Sequence, residues 1–391
     1  VTTAWPEALW SDVVGQPKAV GELRRAAEAA HRTGATRSAA MTHAWLLTGP
    51  PGSGRSTAAR SFAAALLTDP AGGPDATQDA ARVFAGTHPD LTVVATDKAL
   101  ISIDEVRALV SEAQRAPSGG RFRIILIEDA DRMTERTCNV LLKAIEEPPE
   151  RTVWLLCAPS PSDVVPTIRS RCRVVGLRVP SATDVQELLH RKHGVEPDVA
   201  LWAAAASQNH IGRARYLASN ETARAQRTAI LSIPERLGTV GDAVRAAGRI
   251  VEEAADAAKA ATEDRAARER AELLQTLGVE AGKAVPPALR AQIRQLEEDQ
   301  KRRATRARQD ELDRVLLDLL SLYRDVLLVQ LGAGGAEINR GAEQQITAMA
   351  QRSSATLTLR RVEAIAEARR RLQTNTAPLL VLEALFLQLR D

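Results

Sequence analysis

Eight consecutive residues, Gly49-Pro50-Pro51-Gly52-Ser53-Gly54-Arg55-Ser56, followed by Thr57, carry a pattern that cradles phosphates. Glycines let successive backbone N–H groups wrap an anion, and a helix opening at the end of the loop adds its dipole. The usual pattern places Lys where this chain has Arg55. Lys is a compact ammonium that reaches between the outer phosphates, whereas Arg is a longer planar fork. The loop shape is therefore kept while its reacting cation is altered. The plainer reading is drift in an arginine-rich chain, since only 7 of its 52 basic residues are Lys.

A second constellation is Ile124-Ile125-Leu126-Ile127-Glu128-Asp129-Ala130-Asp131. In ATPases the acidic pair at such a strand end is Asp then Glu, the first holding Mg²⁺ and the second polarising the attacking water. Here the order is reversed, and misplacing a catalytic carboxylate by about 1 Å can cost ~10²-fold in rate. Glu128 and Asp129 could instead cap the helix that follows. The third is Thr167-Ile168-Arg169-Ser170-Arg171-Cys172. An Arg beyond a strand end projects from the subunit edge and could complete a neighbour's site, where it is worth ~10³–10⁵ in rate. The alternative is a surface ion pair. His190 and His193 share a helical face without a third ligand for zinc. Lys301-Arg302-Arg303 alternates with acids and reads as a solvated helix face. No Ser/His/Asp order is defensible.

Short apolar runs and helical patterns alternate up to about residue 178 and supply the frame for these groups. Residues 44–48, 123–127 and 152–157 read as buried strands, and 56–67 and 137–145 as helices. Continuous apolar strands separated by helices predict a parallel sheet covered on both faces. Residues 69–89 are rich in Gly, Pro and Asp and read as a surface insertion. Helical segments follow from 181, 198 and 212. From about 222 the pattern is helical to the end, with a charged Ala/Arg/Glu stretch over 251–308 interrupted by Pro286-Pro287. The predicted domains are 1–178, 179–221 and 222–391.

Composition narrows the classes. The chain has 391 residues, 45% of them apolar, which is enough for several packed cores and excludes wholesale disorder. Aromatic residues are 3% and the net charge is +3, which argues against base stacking and against nucleic-acid affinity of the whole molecule. Three Cys make neither a disulfide framework nor a metal spacing, so a reduced, cytoplasmic setting is expected. The most apolar stretch, around 315–331, is broken by Asp318, Arg324 and Asp325 and is no membrane span.

Together these pieces resemble bacterial DNA polymerase III clamp-loader subunits of the AAA+ class, of the delta-prime type. Val13-Val14-Gly15-Gln16 is similar to the family's adenine-side box, which gives Val14 a place at a nucleotide. Asn139-Val140-Leu141-Leu142-Lys143-Ala144-Ile145-Glu146-Glu147-Pro148-Pro149 resembles its most distinctive segment. Ser170-Arg171-Cys172 is similar to its arginine-finger motif. His210-Ile211-Gly212-Arg213-Ala214-Arg215 resembles the lid sensor, with Arg213 at the sensing position. Tyr323-Arg324-Asp325 and Asn375-Thr376-Ala377-Pro378 resemble the collar.

The resemblance implies an α/β P-loop AAA+ domain with a parallel sheet, a small helical lid and an all-α C-terminal collar. It implies a degenerate nucleotide site at Val14, Gly49, Gly52, Gly54, Arg55, Ser56, Thr57, Glu128, Asp129 and Arg213, and Arg171 as a finger acting in trans. Three departures qualify it. The insertion lacks the family's four zinc Cys, Arg55 replaces the loop Lys, and Ala158-Pro159 stands where ATPase members carry a Thr. No cofactor is then required, Mg-ATP binding at the loop is weak at most, and no zinc is expected. The implied partners are gamma/tau and delta subunits in a hetero-pentamer, with the sliding clamp and primer-template DNA met through the assembly. Collar contacts are expected from apolar faces around 316–328 and 379–387. Two rivals stand beside this reading: an ATP-hydrolysing motor of the gamma/tau or branch-migration type, and a scaffold whose 251–308 helices hold an unrelated partner.

Overall fold

The computed structural model describes residues 7–33, 40–68, 74–95, 100–276, 290–334, 338–374 and 376–390. Of the sequence expectations, Pro286-Pro287, Asn375 and part of the 69–89 insertion lie outside them. The chain divides into two compact units, Val1–Ser219 and Asn220–Asp391.

The first unit begins with helix α1 (Pro17–Thr33), strand β1 (Ala44–Thr48) and helix α2 (Arg55–Leu67). Then come α3 (Pro74–Ala85), β2 (Leu91–Val94), α4 (Ile103–Ala113), β3 (Arg123–Ile127), α5 (Glu135–Glu146) and β4 (Thr152–Ala158). A four-residue helix α6 (Pro166–Arg169) leads to β5 (Arg173–Gly176), and α7 (Ala182–His193), α8 (Pro197–Ala206) and α9 (Ile211–Ser219) complete the unit. The five strands are parallel, in the order β2-β3-β4-β1-β5. Every residue of β1, β3 and β4 is buried, as strands covered on both faces require. Alternation sends Trp45, Leu47, Ile124, Leu126 and Leu155 to one face, where Phe62 and Leu23 pack. Leu46, Ile125, Ile127, Trp154 and Leu156 go to the other, against Val106 and Leu141.

Two features go beyond the sequence expectations. The 69–89 stretch contains a helix, α3, which buries Ala80 and Val83 and packs on α2. The sheet also has two strands more than the three expected. Both are four-residue edge strands, too short and too mixed in burial to give a period. Asp90, fully buried just before β2, anchors that side. It accepts from the backbone N–H of Ser118, Gly119 and Gly120 at 2.5, 3.1 and 2.7 Å, with Arg123 beside it at 3.5 Å. Burial alone would raise its pKa, but these donors outweigh it and hold the carboxyl below its usual range.

The second unit is helical throughout its described residues: α10 (Glu221–Leu231), α11 (Val240–Thr276), α12 (Arg290–Gln330), α13 (Glu343–Arg352), α14 (Ala355–Leu372) and α15 (Pro378–Leu389). Leu312, Leu316, Leu319, Leu322, Val326, Ile365, Leu382 and Phe386 form its core. The 316–328 face is thus largely turned inward, contrary to its expected role in contacts between chains. On α15, by contrast, Leu379, Leu380 and Leu387 remain exposed. Within this core Arg227 reaches Asp318 at 3.1 Å and Asn339 at 2.6 Å, while Asn339 donates to Asp325 at 2.8 Å. Buried charges persist only when paired in this way.

Beyond Ala254 and Leu312 the α11–α12 pair continues with a polar seam. Arg270 meets Glu297 at 2.6 Å, Gln300 donates to Ala266 O at 3.0 Å, and Arg303 is paired with Glu269. From Ala266 to Arg270 the partner position falls from Gln300 to Glu297, so the two helices run antiparallel.

Candidate functional site

The phosphate-type loop leaves β1 and opens α2. Its first N–H, on Gly49, donates to Ala158 O at the end of β4 (3.3 Å), and Ala58 N donates to Gly54 O at 2.8 Å as α2 begins. Gly52 and Gly54 have φ of 83° and 86°, the left-handed region open to glycine. A Cβ on Gly52 would lie 2.5 Å from His210 Cγ and 2.6 Å from His210 Cα, so the residue entering α9 is packed directly on the loop. His210 Nδ1 in turn accepts from Arg213 N at 3.3 Å.

Gln16 ties this loop to the start of the lid. Buried to 4% exposure, it donates to Ser53 O at 3.3 Å and to Arg178 O at 2.6 Å, and accepts from Arg178 N at 3.1 Å. Val14 is half-buried beside it. Farther along, Lys192 of α7 pairs with Asp12, and Arg191 donates to Ser11 O. The result is a cleft of about 340 Å³. Gly52, Gly54, Arg55, Ser56 and Thr57 form its floor, with Lys192, His193 and Arg215 on the lid side.

The charged groups that would do chemistry at such a loop are engaged elsewhere. Arg55 folds back, its Nη1 donating to Gly49 O at 2.6 Å. Glu128 Oε1 accepts from Arg60 Nε at 3.0 Å and pairs with Nη2 at 2.8 Å. Asp129 lies 3.4 Å from Arg132 and makes no side-chain cap on the turn that follows. A metal-holding or water-polarising carboxylate needs its lone pairs aimed at the ligand, and both are turned to arginines of their own chain. Among the described residues no cluster of three or more His, Cys, Asp or Glu could hold a metal ion.

Arg171 stands apart from this cleft. It follows α6, with its side chain 39% exposed, its Nη1 donating to Thr167 O at 2.8 Å and its Nη2 lying 2.5 Å from Glu146 Oε1. Burial pushes the neighbouring Cys172 thiol up to about 12, so it packs as a neutral group.

Of the expected site residues, the structure gathers Gly52, Gly54, Arg55, Ser56 and Thr57 on the cleft, with Gly49 behind them. Val14, Glu128, Asp129 and Arg213 stand outside its wall. The lid cation that reaches the cleft is Arg215, three residues after Gly212, a spacing visible in the sequence. Arg60 lies in no motif quoted above, and Gln16 and Glu146 lie within quoted segments that gave no sign of their pairings. Their partners are 68, 162 and 25 positions away, and nothing local announces them.

Residues 27–181 match the family described as DNA polymerase III, delta subunit. The DNA polymerase III subunit delta' of Pseudomonas aeruginosa is 36% identical over 203 residues, 50% of this chain and 55% of that protein. The gamma/tau subunit of Mycobacterium tuberculosis is 31% identical over 202 residues, 50% of this chain and 33% of that one. Among solved structures, a DNA polymerase III gamma subunit-related protein of Thermotoga maritima aligns over 93% of this chain and 98% of its own, at 15% identity and a TM-score of 0.42. The chain thus spans about half the length of the Pseudomonas relative. No described helix is long and apolar enough to cross a membrane.

Proposed function

We propose that the protein is a clamp-loader subunit of the delta-prime type that turns over no ATP itself and completes the ATP site of a neighbour, a reading supported by the family match over residues 27–181 and by the likeness to the Pseudomonas delta' subunit. In this reading it assembles with gamma/tau and delta subunits in a ring of five in the cytoplasm. The ring opens the sliding clamp and sets it on primed DNA. Residues 179–221 are the lid and 222–391 the collar, whose exposed Leu379, Leu380 and Leu387 offer contacts to neighbours.

The observation that carries the reading is a division of labour between two places on one unit. Arg55 on the cleft floor, and Glu128 and Asp129 outside its wall, are all engaged within the chain. Arg171, outside the cleft, is also paired within the chain, with Glu146, but its side chain stays 39% exposed and so can meet another subunit. A guanidinium brought to a phosphoryl group in transfer stabilises the charge spreading over its oxygens, and such a group in trans is worth ~10³–10⁵ in rate.

The likeness to a gamma/tau subunit keeps a motor of the same fold as the second reading. Against it stand Arg55, the Glu128-Asp129 order and Ala158-Pro159. The test is Arg171→Ala in the reconstituted complex. ATP turnover is expected to fall while the complex still elutes as one assembly. Unchanged turnover would remove the finger assignment.

A further inference from the structure

Helix α5 ends on an acid where a base is favoured. The carbonyl end of a helix carries partial negative charge and attracts Lys or Arg; α5 has Lys143 in its last turn but closes on Glu146, with Glu147 next. Stability does not account for Glu146, which is 43% exposed, because ion pairs at that exposure add little. A residue that breaks a local rule without a gain in stability points to function.

Its partner is Arg171, 25 positions on, with Nη2 of the guanidinium 2.5 Å from Glu146 Oε1. Nη1 of the same group donates to Thr167 O at 2.8 Å and to Ser170 Oγ at 3.3 Å. A guanidinium has five N–H donors in a rigid fork. These contacts engage Nη1 and Nη2 and none involves Nε, so the Nε side of the fork is the side left to take a phosphate oxygen. Without Glu146 the fork would keep only its Nη1 contacts to Thr167 O and Ser170 Oγ and could swing about them, loosening its aim.

We propose that Glu146 is a positioning residue for Arg171, holding the guanidinium so that its Nε side is presented to the phosphates of ATP on a neighbouring subunit. The proposal rests on the clamp-loader reading above and names what prepares the finger for use. Preorganisation acts on the rate of the chemical step rather than on the affinity for ATP.

The experiment compares Arg171→Ala, Glu146→Ala, Glu146→Gln and the Arg171→Ala/Glu146→Ala double variant in the reconstituted complex. It reads kcat, KM for ATP, and assembly by size. Glu146→Ala is expected to lower kcat at the site Arg171 serves by about 10- to 100-fold, with KM changed by less than about twofold. Glu146→Gln keeps an acceptor oxygen for Nη2 and is expected to recover most of the rate. The double variant should match Arg171→Ala alone, because two residues acting through one interaction are not additive. A Glu146→Ala complex as fast as the parent, or faster, would overturn the proposal while Arg171→Ala slows turnover. So would effects that multiply. If Arg171→Ala itself changes nothing, the finger reading fails and takes this proposal with it.

Discussion

At position 55 the exchange of Lys for Arg decides what the loop does with its own charge. The longer fork reaches back to Gly49 O at 2.6 Å, a contact internal to the loop, so a phosphate would have to compete with a carbonyl already in place. Gly52 decides how the loop meets the lid. An Ala there would adopt a left-handed φ, costing about 1–2 kcal/mol, and would press its Cβ to 2.5 Å from His210 Cγ. We expect Gly52→Ala to destabilise the first unit by about 2 kcal/mol or more, a fall in Tm of about 4–8 °C in thermal unfolding. An unaltered melt would contradict the contact with His210.

At the scale of elements, the long α11–α12 pair is held beyond its apolar seam by charge. The hydrogen bonds from Arg303, joined by those from Arg265, outweigh partial burial and hold the Glu269 carboxyl down to about 2, against an ordinary 4.5. A carboxylate whose folded pKa is depressed adds stability above its unfolded value and loses it as pH falls through the folded one. The distal part of the α11–α12 pair is therefore expected to lose helicity between about pH 4.5 and 2, and Glu269→Gln to flatten that part of the acid titration followed by circular dichroism. An identical titration in the variant would show that the pair contributes nothing. The parts of the molecule legible in the sequence were contiguous ones. The loop at 49–56 and the three central strands announce themselves because their signals lie in five to eight neighbouring residues. Strands β2 and β5 are edges of four residues with mixed burial, and α3 hides within Gly/Pro/Asp-rich flanks. The pairs that disarm the cleft, Arg60 with Glu128 above all, join positions far apart in sequence, and only the folded sheet brings them together.

At the scale of the whole molecule, a net charge of +3 among 101 charged residues gives no overall charge excess to steer the chain to nucleic acid. That agrees with a subunit that meets DNA through an assembly. The family match lies within the first unit, and the second unit, with its exposed α15 leucines, is where the account places the chain's attachment to its neighbours. The central claim is that this chain supplies catalysis to another subunit's ATP and none to its own. Its most direct test is steady-state ATP hydrolysis with Mg²⁺ by the purified chain alone, by the ATPase subunits alone, and by the reconstituted mixture. The account predicts no turnover by the chain, low turnover by its neighbours, and a marked rise when the two are combined. Sustained hydrolysis by the isolated chain would show that Arg55, Glu128 and Asp129 can leave their internal partners and act, and would make the protein a motor.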